Sequence, residues 1–108
     1  MSSPARLDQI LQEYRQKLFE LLGTNLDSLV LFGSQARGEA GPGSDIDVLC
    51  IMRKPFDYAD LIRRTSQATS EISLKYDVVI SRVFVTRAAY VAQATPFLMN
   101  VHKEQVAV

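Results

Sequence analysis

Leu29-Val30-Leu31-Phe32-Gly33-Ser34-Gln35-Ala36-Arg37-Gly38, followed after a short gap by Ser44-Asp45-Ile46-Asp47-Val48-Leu49, is the stretch around which the rest of the chain is organised. The apolar run 29–32 has the pattern of a strand covered on both faces. It leads straight into a small-residue turn, where residues 34–38 have room for a turn or two of helix. Residues 39–44 contain Gly41-Pro42-Gly43, which no regular element tolerates, so a loop is expected there. Residues 45–52 alternate and are apolar enough for a central strand, which Lys54-Pro55 stops.

Side chains alternate across a strand, so Asp45 and Asp47 project from one face while Ile46 and Val48 point to the other. Two residues along a strand span about 6.5–7 Å, which lets both carboxylates converge on a hard cation such as magnesium. A solvated edge strand would also carry two acids on one face, but this strand is otherwise strongly apolar. Gly33 allows the backbone to turn and come close to a ligand. The amides beyond it face outward at a helix start, and Ser34 adds a hydroxyl, so the turn suits an anion such as a polyphosphate. Ser34 could instead merely cap the short helix. Arg37 has the planar fork that neutralises phosphate, or it pairs with Glu39 or Glu13. Ser44 reaches the same phosphates or caps the loop before the strand.

Outward from this stretch, Ser3-Pro4 reads as a helix cap and first helical residue. Leu7, Ile10, Leu11, Tyr14, Leu18, Leu21 and Leu22 then recur at helical spacing, predicting a helix over 4–22 closed by Gly23. A turn is expected over 25–28. Helical spacing returns over 56–74, with Phe56, Ala59, Leu61, Ile62, Thr65, Ala68 and Ile72 facing inward. A third strand, rich in β-branched residues, is expected over 76–80. Short helices are expected over 87–92 and 96–103, and a short terminal strand over 106–108. Asp77 opens the expected third strand. Were that strand beside the one carrying Asp47, three acids would surround one pocket, a set able to hold two magnesium ions about 3.5–4 Å apart. Alone, Asp77 would be a turn residue.

The chain has 108 residues, which suits one domain and is too short for two. Twelve basic and twelve acidic residues balance to zero with no run of either sign, which argues against nucleic acid as the partner. Cys50 is the sole cysteine, so no internal disulfide forms, and its apolar surroundings make it a small buried hydrophobe. His102 is the sole histidine and has no second ligand at zinc spacing. The N-terminus lacks signal-peptide character and no apolar run is long enough to span a membrane, so a cytoplasmic protein is expected.

Gly33-Ser34, ten intervening residues and then Asp45-Ile46-Asp47, with Asp77 beyond, resembles the signature of the DNA polymerase β-like nucleotidyltransferase superfamily. The fuller form Phe32-Gly33-Ser34-Gln35-Ala36-Arg37-Gly38 with Ser44-Asp45-Ile46-Asp47 is similar to its minimal nucleotidyltransferase branch. Pro96-Phe97-Leu98-Met99-Asn100-Val101 with Lys103-Glu104 resembles the C-terminal segment of that branch, although Gln105 stands where a glycine is expected. The resemblance implies an α+β fold in two layers: a small mixed sheet with helices packed mainly on one face, as a single domain over residues 1–108.

It further implies transfer of AMP from ATP to a hydroxyl, with Asp45, Asp47 and Asp77 as catalytic residues and ligands of two magnesium ions. Gly33, Ser34, Arg37 and Ser44 would bind the nucleotide. Members of this branch pair with a HEPN-domain toxin and adenylylate one of its tyrosines, so the implied role is that of an antitoxin. Two alternatives stand beside it: an antitoxin acting by occlusion without catalysis, and a transferase acting on a small molecule or an RNA 3′ end. Homo-oligomerisation is compatible with the sequence.

Overall fold

The structure, a computed structural model, describes residues 4–41 and 45–108. Helix α1 spans Pro4–Leu22, and its residues Ile10, Leu11, Tyr14, Leu18 and Leu22 are buried, as their spacing requires. The expected Ser3 cap, and residues 42–44 of the expected loop, lie outside the described residues. Gly23 takes a left-handed φ of 63° and ends the helix in a 3-10 turn over Gly23–Asn25.

Strand β1, Leu26–Phe32, begins inside the expected turn. Leu26 is fully buried and pairs with Met52, and a register shift between Leu26 and Ser28 admits the polar Asp27-Ser28 pair into the strand. Helix α2 is the short Gly33–Arg37 segment, and strand β2 is Ile46–Met52. Helix α3 runs Tyr58–Tyr76, later at both ends than its apolar spacing suggests. The Asp57 carboxylate caps it, accepting from the Asp60 N–H at 3.2 Å. Phe56 therefore precedes the helix while still packing on the core, and Ala59 is exposed. Leu61, Thr65, Ala68 and Ile72 are buried as expected.

The third strand is the largest departure. Helix α3 consumes Tyr76, Asp77 caps its end in the left-handed conformation, and strand β3 is Ile80–Thr86. Val83, Phe84 and Val85 supply the β-branched and aromatic character of this strand, beyond the expected window. Helix α4, Arg87–Ala92, follows. Helix α5, Pro96–Glu104, is capped by the Thr95 hydroxyl, which accepts from the Leu98 N–H at 3.2 Å. Strand β4 is Val106–Ala107.

The sheet order is β3-β2-β1-β4. β2 and β3 are parallel, joined through α3, whereas β1 is antiparallel to both β2 and β4. This is the mixed sheet of an α+β fold. Alternation along β2 divides the core: Ile46, Val48, Cys50 and Met52 pack with the residues of α1 and α3, while Leu49 and Ile51 pack with Leu98 and Val101 of α5. The two long helices thus share one face, and a smaller cluster beneath α4 and α5 covers the other. On the long-helix side the buried Tyr14 hydroxyl meets the Thr69 hydroxyl at 2.8 Å, and Thr69 donates to the Thr65 carbonyl at 2.8 Å. Among the described residues no helix is long and apolar enough to cross a membrane.

Cys50 has no exposed surface, and burial pushes its thiol up to about 12. Thiolate is the reactive form. Native protein at pH 8 is therefore expected to resist iodoacetamide and to take up one equivalent in denaturant, as mass spectrometry would record. Native labelling at the rate of a free thiol would contradict the packing of β2.

Candidate active site

The site is built where β1 ends and β2 begins. In the antiparallel pair, Phe32 stands opposite Asp47, so the residue after Phe32 turns away directly over that carboxylate. That residue is Gly33, with φ of 76°. A Cβ placed on it would lie 2.3 Å from the Asp47 Oδ2. Glycine is required twice over, once by the left-handed backbone and once by the space the carboxylate occupies.

Asp47 projects from β2 on the face of Leu49 and Ile51, the face that α5 covers. It is half-buried, and Asp45 is exposed just before the strand begins. Burial, reinforced by the Asp45 and Glu104 carboxylates and opposed by Arg37, holds the Asp47 carboxyl above the usual carboxylate range. Like charges gathered in a partly desolvated place disfavour ionisation. A cation would relieve that repulsion, so the chemistry of the pair fits a hard divalent ion.

Of the phosphate-binding candidates, Gly33 and Ser34 open α2. The N-cap is Phe32, which makes no side-chain capping bond. Ser34 lies inside the helix, so the capping role that would explain it away does not apply. The Gly33 N–H, one of the helix-start donors left without an intrahelical acceptor, donates to Glu104 Oε1 at 3.0 Å. Arg37 donates to Glu39 at 2.9 Å and to Glu104 Oε2 at 2.9 Å. These two acids hold its guanidinium further in the charged form. Glu13, the other partner considered for Arg37, instead pairs with Lys75, bridging α1 and α3 at 2.8 Å. Ser44 lies outside the described residues.

Asp77 does not join the pair. It is the exposed left-handed residue ending α3, not the first residue of a strand. The register Asp47↔Ser81 puts a serine at the β3 position facing Asp47. Among the described residues no group of three or more His, Cys, Asp or Glu side chains is placed to hold a metal ion. The expected cluster of three acids is therefore not formed, because α3 extends through Tyr76 and delays the strand.

Glu104 carries no chemical signal in the sequence, although it sits at the centre of these contacts. It lies 71 residues from Gly33, and no local pattern joins them. The Gln105 departure also has an explanation: φ is −64°, which needs no glycine, and its side-chain oxygen accepts from the Tyr90 hydroxyl. Beside the site, α2 and α5 enclose a cleft of about 380 Å³ lined by Phe32, Gly33, Arg37, Phe97, Asn100 and Glu104 among others. Phe32 and Phe97 meet edge to face there, with ring centroids 5.3 Å apart.

Comparison with known proteins gives this geometry a context. The sequence profile described as the nucleotidyltransferase domain matches residues 9–100. A Methanocaldococcus jannaschii protein whose name proposes a protein adenylyltransferase, MJ0141, is 33% identical over 75 residues, covering 69% of this chain and 75% of its own length. A second protein of that organism with the same proposed activity, MJ1305, is 36% identical over 80 residues, covering 73% of this chain and 54% of its own length. In three dimensions the chain resembles a protein from a toxin–antitoxin complex crystallised with AMP-PNP. That likeness has a TM-score of 0.57 and 17% identity, over 87% of this chain and 68% of the other.

The two glycines of α2 and its cap separate the demands of backbone and space. Gly38 also has positive φ, at 72°, but a Cβ added there would meet nothing within 4 Å. Gly38→Ala should cost about 1–2 kcal/mol of stability from its left-handed backbone alone. Gly33→Ala should cost more, because it also displaces Asp47. Chemical denaturation of both variants checks the order, and equal costs would contradict the apposition of Gly33 and Asp47.

Proposed function

We propose, from the premise that this chain belongs to the nucleotidyltransferase domain family, that it transfers AMP from ATP to a hydroxyl of a partner protein. The observation that carries the reading is Asp47 pressed against Gly33, whose Cβ would meet its carboxylate at 2.3 Å, with Asp45 two residues before it and close enough to repel it. Acidic residues and a close-approach glycine at one strand end are what a metal–polyphosphate complex needs: carboxylates for the cation, and backbone without side-chain bulk for the phosphates.

Asp45 and Asp47 are the residues that would hold magnesium, which supplies Lewis-acid stabilisation of charge developing on the transferred phosphoryl group. Gly33 and Ser34 would bind the β- and γ-phosphates, and Arg37 would neutralise the leaving pyrophosphate. Ser44, immediately before Asp45 in the chain, is kept as a further phosphate contact. With Ser81 opposite Asp47, the chemistry rests on two carboxylates of β2 and its approach, and Asp77 contributes through the α3–β3 turn at most.

The relatives named for protein adenylylation support a protein acceptor. The structural neighbour from a toxin–antitoxin complex with AMP-PNP supports an antitoxin role with ATP as donor. We extend this to a HEPN-domain toxin as the partner and a tyrosine of that toxin as the acceptor, in the cytoplasm.

Incubation with labelled ATP, magnesium and a co-expressed HEPN toxin should mark the toxin. Asp45→Asn and Asp47→Asn should each reduce labelling at least about a hundredfold, the scale of losing a principal electrostatic contribution to catalysis. Asp77→Asn should reduce it far less, because Asp77 lies outside the pair. Labelling that survives both β2-side substitutions would defeat the enzymatic reading. Full protection from the toxin by the double variant would place neutralisation in binding instead.

Magnesium should also raise the melting temperature of the wild-type chain, by relieving carboxylate repulsion at Asp47, and should fail to do so in Asp47→Asn. Differential scanning fluorimetry with and without EDTA reads this directly.

A further inference from the structure

Glu104 reaches across from the end of α5 and takes the two groups of α2 best suited to phosphate. One carboxylate oxygen accepts the Gly33 N–H at 3.0 Å, and the other accepts from Arg37 at 2.9 Å. Its side chain is 22% exposed, partly covered where it meets Gly33 and open to solvent where it meets Arg37. Gly33 has a single N–H, and a phosphate oxygen cannot use it while Glu104 does. Arg37 is bracketed by Glu104 on one side and Glu39 on the other. Asp45 and Asp47 add two further negative charges nearby, so four carboxylates, Glu39 and Glu104 included, outnumber the two cations that line the cleft, Arg37 and Lys103. A polyphosphate approaching this arrangement meets both an occupied donor and a repulsive field.

We propose that Glu104 is a built-in occupant of the phosphate seat: its carboxylate holds the Gly33 N–H and Arg37 until an incoming polyphosphate displaces it, and so sets the affinity of the site for nucleotide. The inference rests on the nucleotidyl-transfer reading and deepens it. Glu104 is a positioning residue in this scheme, acting on Gly33 and Arg37. It also links the site to the C-terminal segment. Glu104 is the last residue of α5, Gln105 N–H bonds to Val101 carbonyl at 2.9 Å, and β4 follows at once against Val30 and Leu31 of β1.

The test is calorimetric titration of magnesium AMP-PNP, and separately of inorganic tripolyphosphate, into wild type, Glu104→Gln and Glu104→Ala. Loss of a competing charge-assisted bond should tighten both probes about three- to thirtyfold in each variant. In turnover assays KM for ATP should fall with little change in kcat, a split that a merely structural support would not produce. Binding that is unchanged or weaker in Glu104→Gln would overturn the proposal. If Glu104→Ala fails to fold by thermal melt, the isosteric Glu104→Gln carries the test.

The two readings fail separately. Nucleotide that binds wild type and Glu104→Gln equally defeats the role of Glu104 alone. Tripolyphosphate that binds and tightens in Glu104→Gln, while nucleotide binds no form, defeats nucleotidyl transfer alone. If neither probe binds any form, both readings fall.

Discussion

The close approach of Gly33 to the Asp47 carboxylate is the constraint on which the rest of the molecule depends. It exists because Phe32 and Asp47 are cross-strand partners, and because the chain leaves β1 with a left-handed residue. That register is enforced from both faces of the sheet. Leu29, Leu31, Val48 and Cys50 are committed to the α1–α3 side, while Val30, Leu49 and Ile51 are committed to α5. A slip of one residue would exchange the two sets, and every side chain would face the wrong layer. The core therefore does more than stabilise the sheet: it positions one glycine against one carboxylate.

The same division explains why α5 reaches the site. Asp47 shares its face with Leu49 and Ile51, and these are the residues on which Leu98 and Val101 of α5 pack. Once α5 is seated by those contacts, the end of the helix falls beside Gly33, and Glu104 meets both Gly33 and Arg37. Burial and electrostatics are thus coupled here. The apolar side of α5 brings a carboxylate into a place where Asp45 and Asp47 already crowd, and the raised pKa of Asp47 reflects its burial first and that crowding second. The chain belongs to the nucleotidyltransferase domain family, and carboxylates held together against their own repulsion are a charge distribution that a cation would relieve.

Legibility from sequence follows the range of the interactions. The long helices can be read because Ile10, Tyr14 and Leu18, or Leu61, Thr65, Ala68 and Ile72, repeat with the period of their own helix. β2 can be read because its apolar alternation is local. The start of α3 escapes that reading because the Asp57 cap, a single side-chain bond, outweighs the apolar character of Phe56. β3 lies later than its pattern suggests because Tyr76, Val78 and Val79 have strand-like propensities, yet helix α3 keeps Tyr76 through the contacts it makes with α1, where the Tyr76 hydroxyl donates to Glu13. Asp77 therefore ends a helix instead of opening a strand, and the residue of β3 that faces Asp47 is Ser81.

The sequence by itself determined the mixed order of helices and strands, the glycine turn at 33, and the placing of Asp45 and Asp47 at the start of one apolar strand, because each follows from residue type and short-range periodicity. Only the tertiary structure decided which distant groups meet. The extension of α3 through Tyr76 left Asp77 as a helix cap outside β3, and the packing of α5 on the opposite face delivered Glu104 to Gly33 and Arg37. Register and helix seating are set by the shared burial of side chains far apart in the chain, and no local pattern records that choice.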